Sequence, residues 1–167
     1  AGILDKIKEI TLFLNPIINS YERFGKFEAP KYISWSHQNR SQLIRIPAAT
    51  GEKMRMELRS PDSAINPYLA FSLIISAGLY GIENNLILSD EVNENLYTAN
   101  EKITNNIEKL PENIKEAIDI AKNSEFIKNT IGEEVLSKYI CLKEEEYNQY
   151  ISSENKEEIK KMYFECI

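Results

Sequence analysis

Met54-Arg55-Met56-Glu57-Leu58-Arg59-Ser60-Pro61-Asp62 alternates strictly, apolar at Met54, Met56 and Leu58 and charged at Arg55, Glu57 and Arg59, until Ser60-Pro61-Asp62 breaks the run. A period of two sets the three apolar side chains on one face of a strand and the three charges on the other. The pattern then inverts. Residues Ser63 to Ile82 carry no charge over 20 positions, and Asn66-Pro67 stands near their head as an N-cap and first-turn proline. That length approaches a membrane span, but Asn66, Pro67, Ser72, Ser76, Gly78 and Gly81 interrupt it. The segment reads as a helix from about 66 to 84, buried on most sides, with Met54, Met56 and Leu58 packed beneath it.

Working outward, strands are expected near 31–36 and 42–48, with the alternating run as a third at 53–59. The Arg45 and Arg55–Arg59 strands are expected to pair antiparallel. Ahead of them, Ile3, Leu4, Ile7 and Ile10 keep the spacing of one helix face, already under way at Ala1 with no N-cap. The expectation from this is a chain that continues a longer protein. Asn15-Pro16 breaks or restarts a helix toward Arg23, and residues 24–30 read as a loop. Beyond Pro111 the chain turns helical, with a short helix near 124–131, a longer one from about 133 to 151 and a weakly amphipathic piece near 154–164. Val135, Leu136, Tyr139, Ile140, Tyr147, Tyr150 and Ile151 mark the longer one. Strands first and helices after, without strict alternation, give an α+β class: an antiparallel sheet of about three strands packed by helices, with a helical C-terminal third.

The length of 167 residues and an apolar share of 43% suit one domain with a buried core. Cys141 and Cys166 match no metal spacing, and free thiols in a cytoplasmic protein are the simpler reading. The net charge of −6 is uneven: residues 1–62 carry an excess of three positive charges and residues 63–167 an excess of nine negative ones. All five arginines (Arg23, Arg40, Arg45, Arg55 and Arg59) fall in the first third. A solvated face accepts lysine as readily, whereas bidentate recognition of carboxylate or phosphate favours arginine. This segregation points to a small anionic ligand, and the acidic remainder argues against a nucleic-acid surface.

Taken singly, these residues support two readings. Arg55, Glu57 and Arg59 on one sheet face could hold a metal ion beside a phosphate or carboxylate; from pattern alone the plainer reading, a solvated face with charges pairing along the strand, is preferred. Arg40 looks like a turn residue. Arg45, between Ile44 and Ile46, is either a ligand contact or an edge residue whose head snorkels to water. Glu28 lies in a glycine-containing loop, where a lone carboxylate is ordinarily just solvated. His37 is the only histidine and lacks co-ligands at metal spacing, so it reads as a loop or strand-end residue. Phosphate-loop, nucleophile-elbow and H-E-x-x-H motifs are all missing from the sequence.

Longer runs carry more. Asn19-Ser20-Tyr21-Glu22-Arg23, Phe27-Glu28-Ala29-Pro30, Asn39-Arg40-Ser41 through Leu43-Ile44-Arg45-Ile46-Pro47, Arg55-Met56-Glu57-Leu58-Arg59-Ser60-Pro61-Asp62 and Asn66-Pro67-Tyr68-Leu69-Ala70 occur in order. Together they resemble the type I bacterial glutamine synthetases, over the C-terminal part of the catalytic domain. The resemblance implies an ATP-dependent ligase that makes glutamine from glutamate and ammonia through a γ-glutamyl phosphate, using Mg2+ or Mn2+. It implies that Arg23 and Arg59 bind glutamate, and that Glu28 sits on a flap and helps take a proton from ammonium. Arg40 would stabilise the transferring phosphoryl group, Arg45 and Arg55 would contact ATP alongside Arg40, and Glu57 would be a metal ligand. It further implies a homo-oligomer, a dodecamer in the full-length family, and an N-terminal β-grasp domain and first catalytic half outside residues 1–167, so that the fragment alone is inactive. The Arg23–Glu28 stretch and the Arg45–Arg55 loop each run about one residue short of the family pattern, which leaves Lys53 without a role. Tyr97 falls where some members are adenylylated, but Thr98-Ala99-Asn100 depart from the pattern and argue against it here. Two alternatives stand beside this reading: a γ-glutamyl ligase of the same superfamily that uses an amine or polyamine, and a non-catalytic assembly module.

Overall fold

The computed structural model describes residues 1–165. Helix α1 (Gly2–Leu14) is the centre of the core. Ile7, Ile10, Leu12, Phe13 and Leu14 are fully buried, each contributing roughly 2 kcal/mol of hydrophobic transfer energy, because α1 is covered by α3 (Pro67–Glu83), α5 (Ile114–Lys122) and α6 (Glu125–Ile131). Where α1 crosses α3 the backbones nearly touch. A Cβ built on Gly81 would lie 2.5 Å from the Gly2 nitrogen, so only glycine fits there.

The expected helices are present. Asn66 caps α3 through its side-chain oxygen, which accepts from the Tyr68 and Leu69 amides, with Pro67 as the first helical residue. Asn113 and Ser124 cap α5 and α6 in the same way. The long helix α7 (Glu133–Ser152) packs on α5 and α6, and α8 (Lys156–Glu165) folds back against α7. Two short helices, α2 (Ile18–Glu22) and α4 (Glu101–Thr104), complete the set among the described residues. Cys141 is a free, exposed thiol; Cys166 lies outside the described residues. No described helix is long and apolar enough to cross a membrane.

The α+β class holds, with strands β1 (Trp35–His37), β2 (Ile44–Ile46) and β3 (Glu57–Leu58) in the order β1-β2-β3. The expectation of an antiparallel sheet needs correction. β2 and β3 are antiparallel, with Arg45 opposite Glu57, but β1 and β2 are parallel, with Trp35 opposite Ile44. Parallel neighbours ordinarily need a crossover of a dozen or more residues. Here the strands are three residues long, so the return spans only about 10 Å, and residues 38–43 suffice.

Two further expectations fail together. Met54 and Met56 do not pack beneath α3; they are 72% and 46% exposed. The ladder begins only at Glu57, and α3 packs on α1 and α6 instead. Nor is α3 buried on most sides. Ala70, Leu73, Ala77 and Gly81 face inward, while Tyr68, Phe71, Ile75, Leu79 and Ile82 form an exposed apolar stripe. A helix apolar all round has no polar face to announce which side meets the core.

Candidate active site

Three charged groupings stand on or beside the sheet. In the first, Glu57 is held between two arginines: one carboxylate oxygen is 2.8 Å from Arg45 Nη1, and the other accepts from Arg55 Nη2 at 2.8 Å and Nε at 3.1 Å. Arg45 and Glu57 are brought together by the β2–β3 register; Arg55 comes from the turn that enters β3. The Arg45 hydrogen bond foremost, and the Arg55 bonds with it, hold the Glu57 carboxyl below the usual carboxylate range.

The second grouping centres on Glu28, which the chain presents in a left-handed conformation at φ 62° after Phe27 at φ 50°. Two consecutive non-glycine residues at positive φ are uncommon and costly. The turn is closed behind them by the Gly25 amide donating to the Ala29 carbonyl and the Ala29 amide to the Lys26 carbonyl. One Glu28 oxygen is 3.9 Å from Arg40 and the other 3.7 Å from Arg59. At such distances, with Glu28 largely exposed, these contacts contribute little to stability, and the three groups remain available to a ligand. Arg59 Nη1 is buried with no hydrogen-bond partner.

Arg23 forms the third. Its Nη2 donates to the Asn15 side chain at 3.0 Å and to the Ser60 carbonyl at 2.9 Å, while its buried Nε has no partner. It is therefore anchored to the end of the segment that carries Arg59, and it makes no ion pair with Glu28 or Glu57.

Beside β2 opens a cleft of about 580 Å³, lined by Gln38, Arg45, Pro47–Thr50, Lys53 and Arg55. Three cations and no carboxylate line it, the arrangement expected of an anion site. Lys53, left without a role by the short Arg45–Arg55 loop, reaches it through the one-turn helix Gly51–Lys53. A separate cavity of about 360 Å³ between α5, α6 and α7 has its two lysines already paired, Lys122 with Glu144 and Lys128 with Glu133.

His37 ends β1, as expected of a strand-end residue, and its ring nitrogen lies 2.8 Å from Glu91. Among the described residues, no three His, Cys, Asp or Glu side chains gather to hold a metal. The donor set therefore fits a divalent ion only in part: Glu57 is a single hard oxygen ligand, and both its oxygens are engaged by arginine.

Residues 1–162 match the family model described as glutamine synthetase, catalytic domain. The chain belongs to the glutamine synthetase catalytic-domain family. Relatives named glutamine synthetase bear this out. That of Methanosarcina mazei is 49% identical over 90% of this chain and 34% of its own length. That of Staphylococcus epidermidis is 39% identical over 98% of this chain and 38% of its own. The chain thus spans little more than a third of these relatives. Among solved structures, GmaS in complex with ADP is similar at a TM-score of 0.79 and 28% identity, over 96% of this chain and 37% of that one. GmaS without ligand gives 0.80 and 31%, over 95% and 36%. Membership gives the α+β fold and the order of the charged motifs a common origin.

Proposed function

We propose that this chain is the C-terminal portion of the catalytic domain of an ATP-dependent ligase that makes glutamine from glutamate and ammonia. The observation that carries the reading is the cleft holding Arg45, Arg55 and Lys53 beside the β2–β3 pair that also carries Glu57. A triphosphate suits three convergent cations, and GmaS, similar over 96% of this chain, is itself found in complex with ADP.

In this reading the glutamate side-chain carboxylate attacks the terminal phosphorus of ATP, and ADP leaves. Ammonia then attacks the acyl phosphate, and inorganic phosphate leaves. Arg23 and Arg59 hold glutamate. Arg40 stabilises charge on the transferring phosphoryl group, with Arg45 and Arg55 on the nucleotide. Glu28, on its loop, accepts the proton that ammonium gives up. Glu57 would supply one carboxylate to magnesium or manganese, which when bound would neutralise phosphate charge. The working protein is a cytoplasmic homo-oligomer, a dodecamer by family likeness, with no nucleic-acid or membrane partner.

The test is to incubate the synthetase containing this chain with ATP, magnesium, glutamate and ammonium, and to measure phosphate and glutamine together. Ammonium is then replaced by methylamine or putrescine. Glutamine formed in step with phosphate supports the reading. Turnover confined to an amine transfers it to the γ-glutamyl-amine ligase alternative, and no ATP consumption with any acceptor overturns both.

A further inference from the structure

Residues 89–97 have no regular secondary structure, yet they lie as a strap along residues 34–42. The Val92 amide donates to the Trp35 carbonyl, Ser36 Oγ to Asn93, the Leu96 amide to Ser41 Oγ and Gln42 Nε2 to the Glu94 carbonyl. The target is the return loop between the two parallel strands, which carries Arg40.

Asn39 is the hub of this contact. Its Oδ1 accepts from the Ser41 amide at 3.0 Å and the Ser41 hydroxyl at 2.9 Å. Its Nδ2 donates to the Asn93 carbonyl at 3.0 Å and the Glu94 carbonyl at 2.9 Å. Four bonds exhaust what a primary amide can make, and no other side chain offers two acceptor and two donor sites at this reach. Arg40, the next residue, is held by almost nothing of its own: its side chain is 67% exposed and its ion pair with Glu28 is 3.9 Å long. What fixes its position is the backbone on either side, and Asn39 spans both sides, from Ser41 to the strap.

We propose that Asn39 is the positioning residue for Arg40, locking the return loop to the strap so that the guanidinium is already in place when charge develops on the phosphoryl group. This rests on the functional reading above. A group that acts only in the transition state is worth most when it needs no rearrangement at that moment. A loosened loop therefore lowers kcat and leaves glutamate binding, the work of Arg23 and Arg59, nearly untouched.

The experiment is a double-mutant cycle in the assembled synthetase. Asn39→Asp keeps the acceptor for Ser41 but sets a carboxylate against two carbonyls. Expected is a fall in kcat of about tenfold or more, with KM for glutamate unchanged within about twofold. In an Arg40→Ala background the same substitution removes no further rate, because the residue it positions is gone. An equal loss of kcat in that background, or a loss seen only in KM, overturns the proposal while leaving the site reading intact. Normal turnover of Arg40→Ala alone overturns the site reading, and the proposal falls with it. Should Asn39→Asp fail to fold, Ser41→Ala takes its place: it removes the acceptor for the Leu96 amide and must show a smaller loss with the same dependence on Arg40. A loss independent of Arg40 overturns the proposal there too.

Discussion

Arg45 and Glu57 are register partners across β2 and β3, and their side chains meet at 2.8 Å above the pair. The strand pairing itself thus brings together one of the three cations of the cleft and the Glu57 carboxylate beside it. Arg55 closes the other side of Glu57 at 2.8 Å.

Glu57→Gln keeps the size of the side chain and removes the charge that a hard cation and two guanidiniums require. In the assembled synthetase, ATP-dependent turnover is expected to fall by at least about tenfold. The melting temperature should move by no more than about 4 °C. Near-normal turnover at ordinary magnesium would reduce Glu57 to a surface charge.

The crossing of α1 and α3 separates two glycines of one helix. Gly81→Ala drives a methyl into the Gly2 backbone and is expected to cost about 1–3 kcal/mol. Gly78→Ala meets nothing within 4 Å and should stabilise the helix by about 0.5–1 kcal/mol. Urea midpoints of the two variants moving in the same direction would show that the contact is not a tight one.

Alkaline pH should loosen the helical third. Tyr139 of α7 stacks on Phe13 of α1 with centroids 4.3 Å apart; burial first, and the charge of Glu146 after it, pushes its phenol well above the usual range. The same two causes push Tyr163 up to about 12. Both folded values lie above the unfolded one, so their stabilisation is complete below about pH 10 and drains away as the pH rises through the folded values. Urea midpoints should therefore fall steadily from about pH 10 upward, and Tyr139→Phe should flatten the fall. A slope unchanged by that substitution would place the alkaline sensitivity elsewhere.

Taken alone, the 167-residue chain is expected to fold around α1, make no glutamine and self-associate. In the proposed reading Glu57 is the one metal carboxylate among the described residues, and phosphoryl transfer to a carboxylate needs both substrates positioned and their charge neutralised at once. Phe71, Ile75, Leu79 and Ile82 leave an apolar stripe in water. Sedimentation should show concentration-dependent association that Ile75→Glu or Leu79→Glu abolishes. Turnover at an ordinary enzyme rate, or a monomer at every concentration, would contradict these expectations.

Helices were legible in this sequence because caps and periodicity are local: Asn66-Pro67 stands where α3 begins, and Val135, Leu136, Tyr139 and Ile140 keep helical spacing along α7. The antiparallel pairing of the Arg45 and Arg55–Arg59 strands was legible, though not the register that sets Arg45 opposite Glu57. The parallel β1–β2 pair was not, since direction depends on how short the strands are. The exposure of Met54, Met56 and the α3 stripe was equally hidden, because apolar character says that a face wants a partner without saying which. Lys53 was named without a role, and Asn39 only as part of a motif, for a different reason. One reaches the cleft through a single turn of helix, and the other works through backbone carbonyls, which have no letter in a sequence.

The strap has a consequence for synthesis on the ribosome. Asn39 bonds to a carbonyl that lies 54 positions later in the chain, with all of α3 between them. While the polypeptide is being made, the Arg40 loop emerges first and stays unpinned until Asn93 and Glu94 follow. Formation of this corner therefore follows the order of translation, with the Arg40 loop among the last parts of the sheet region to become rigid.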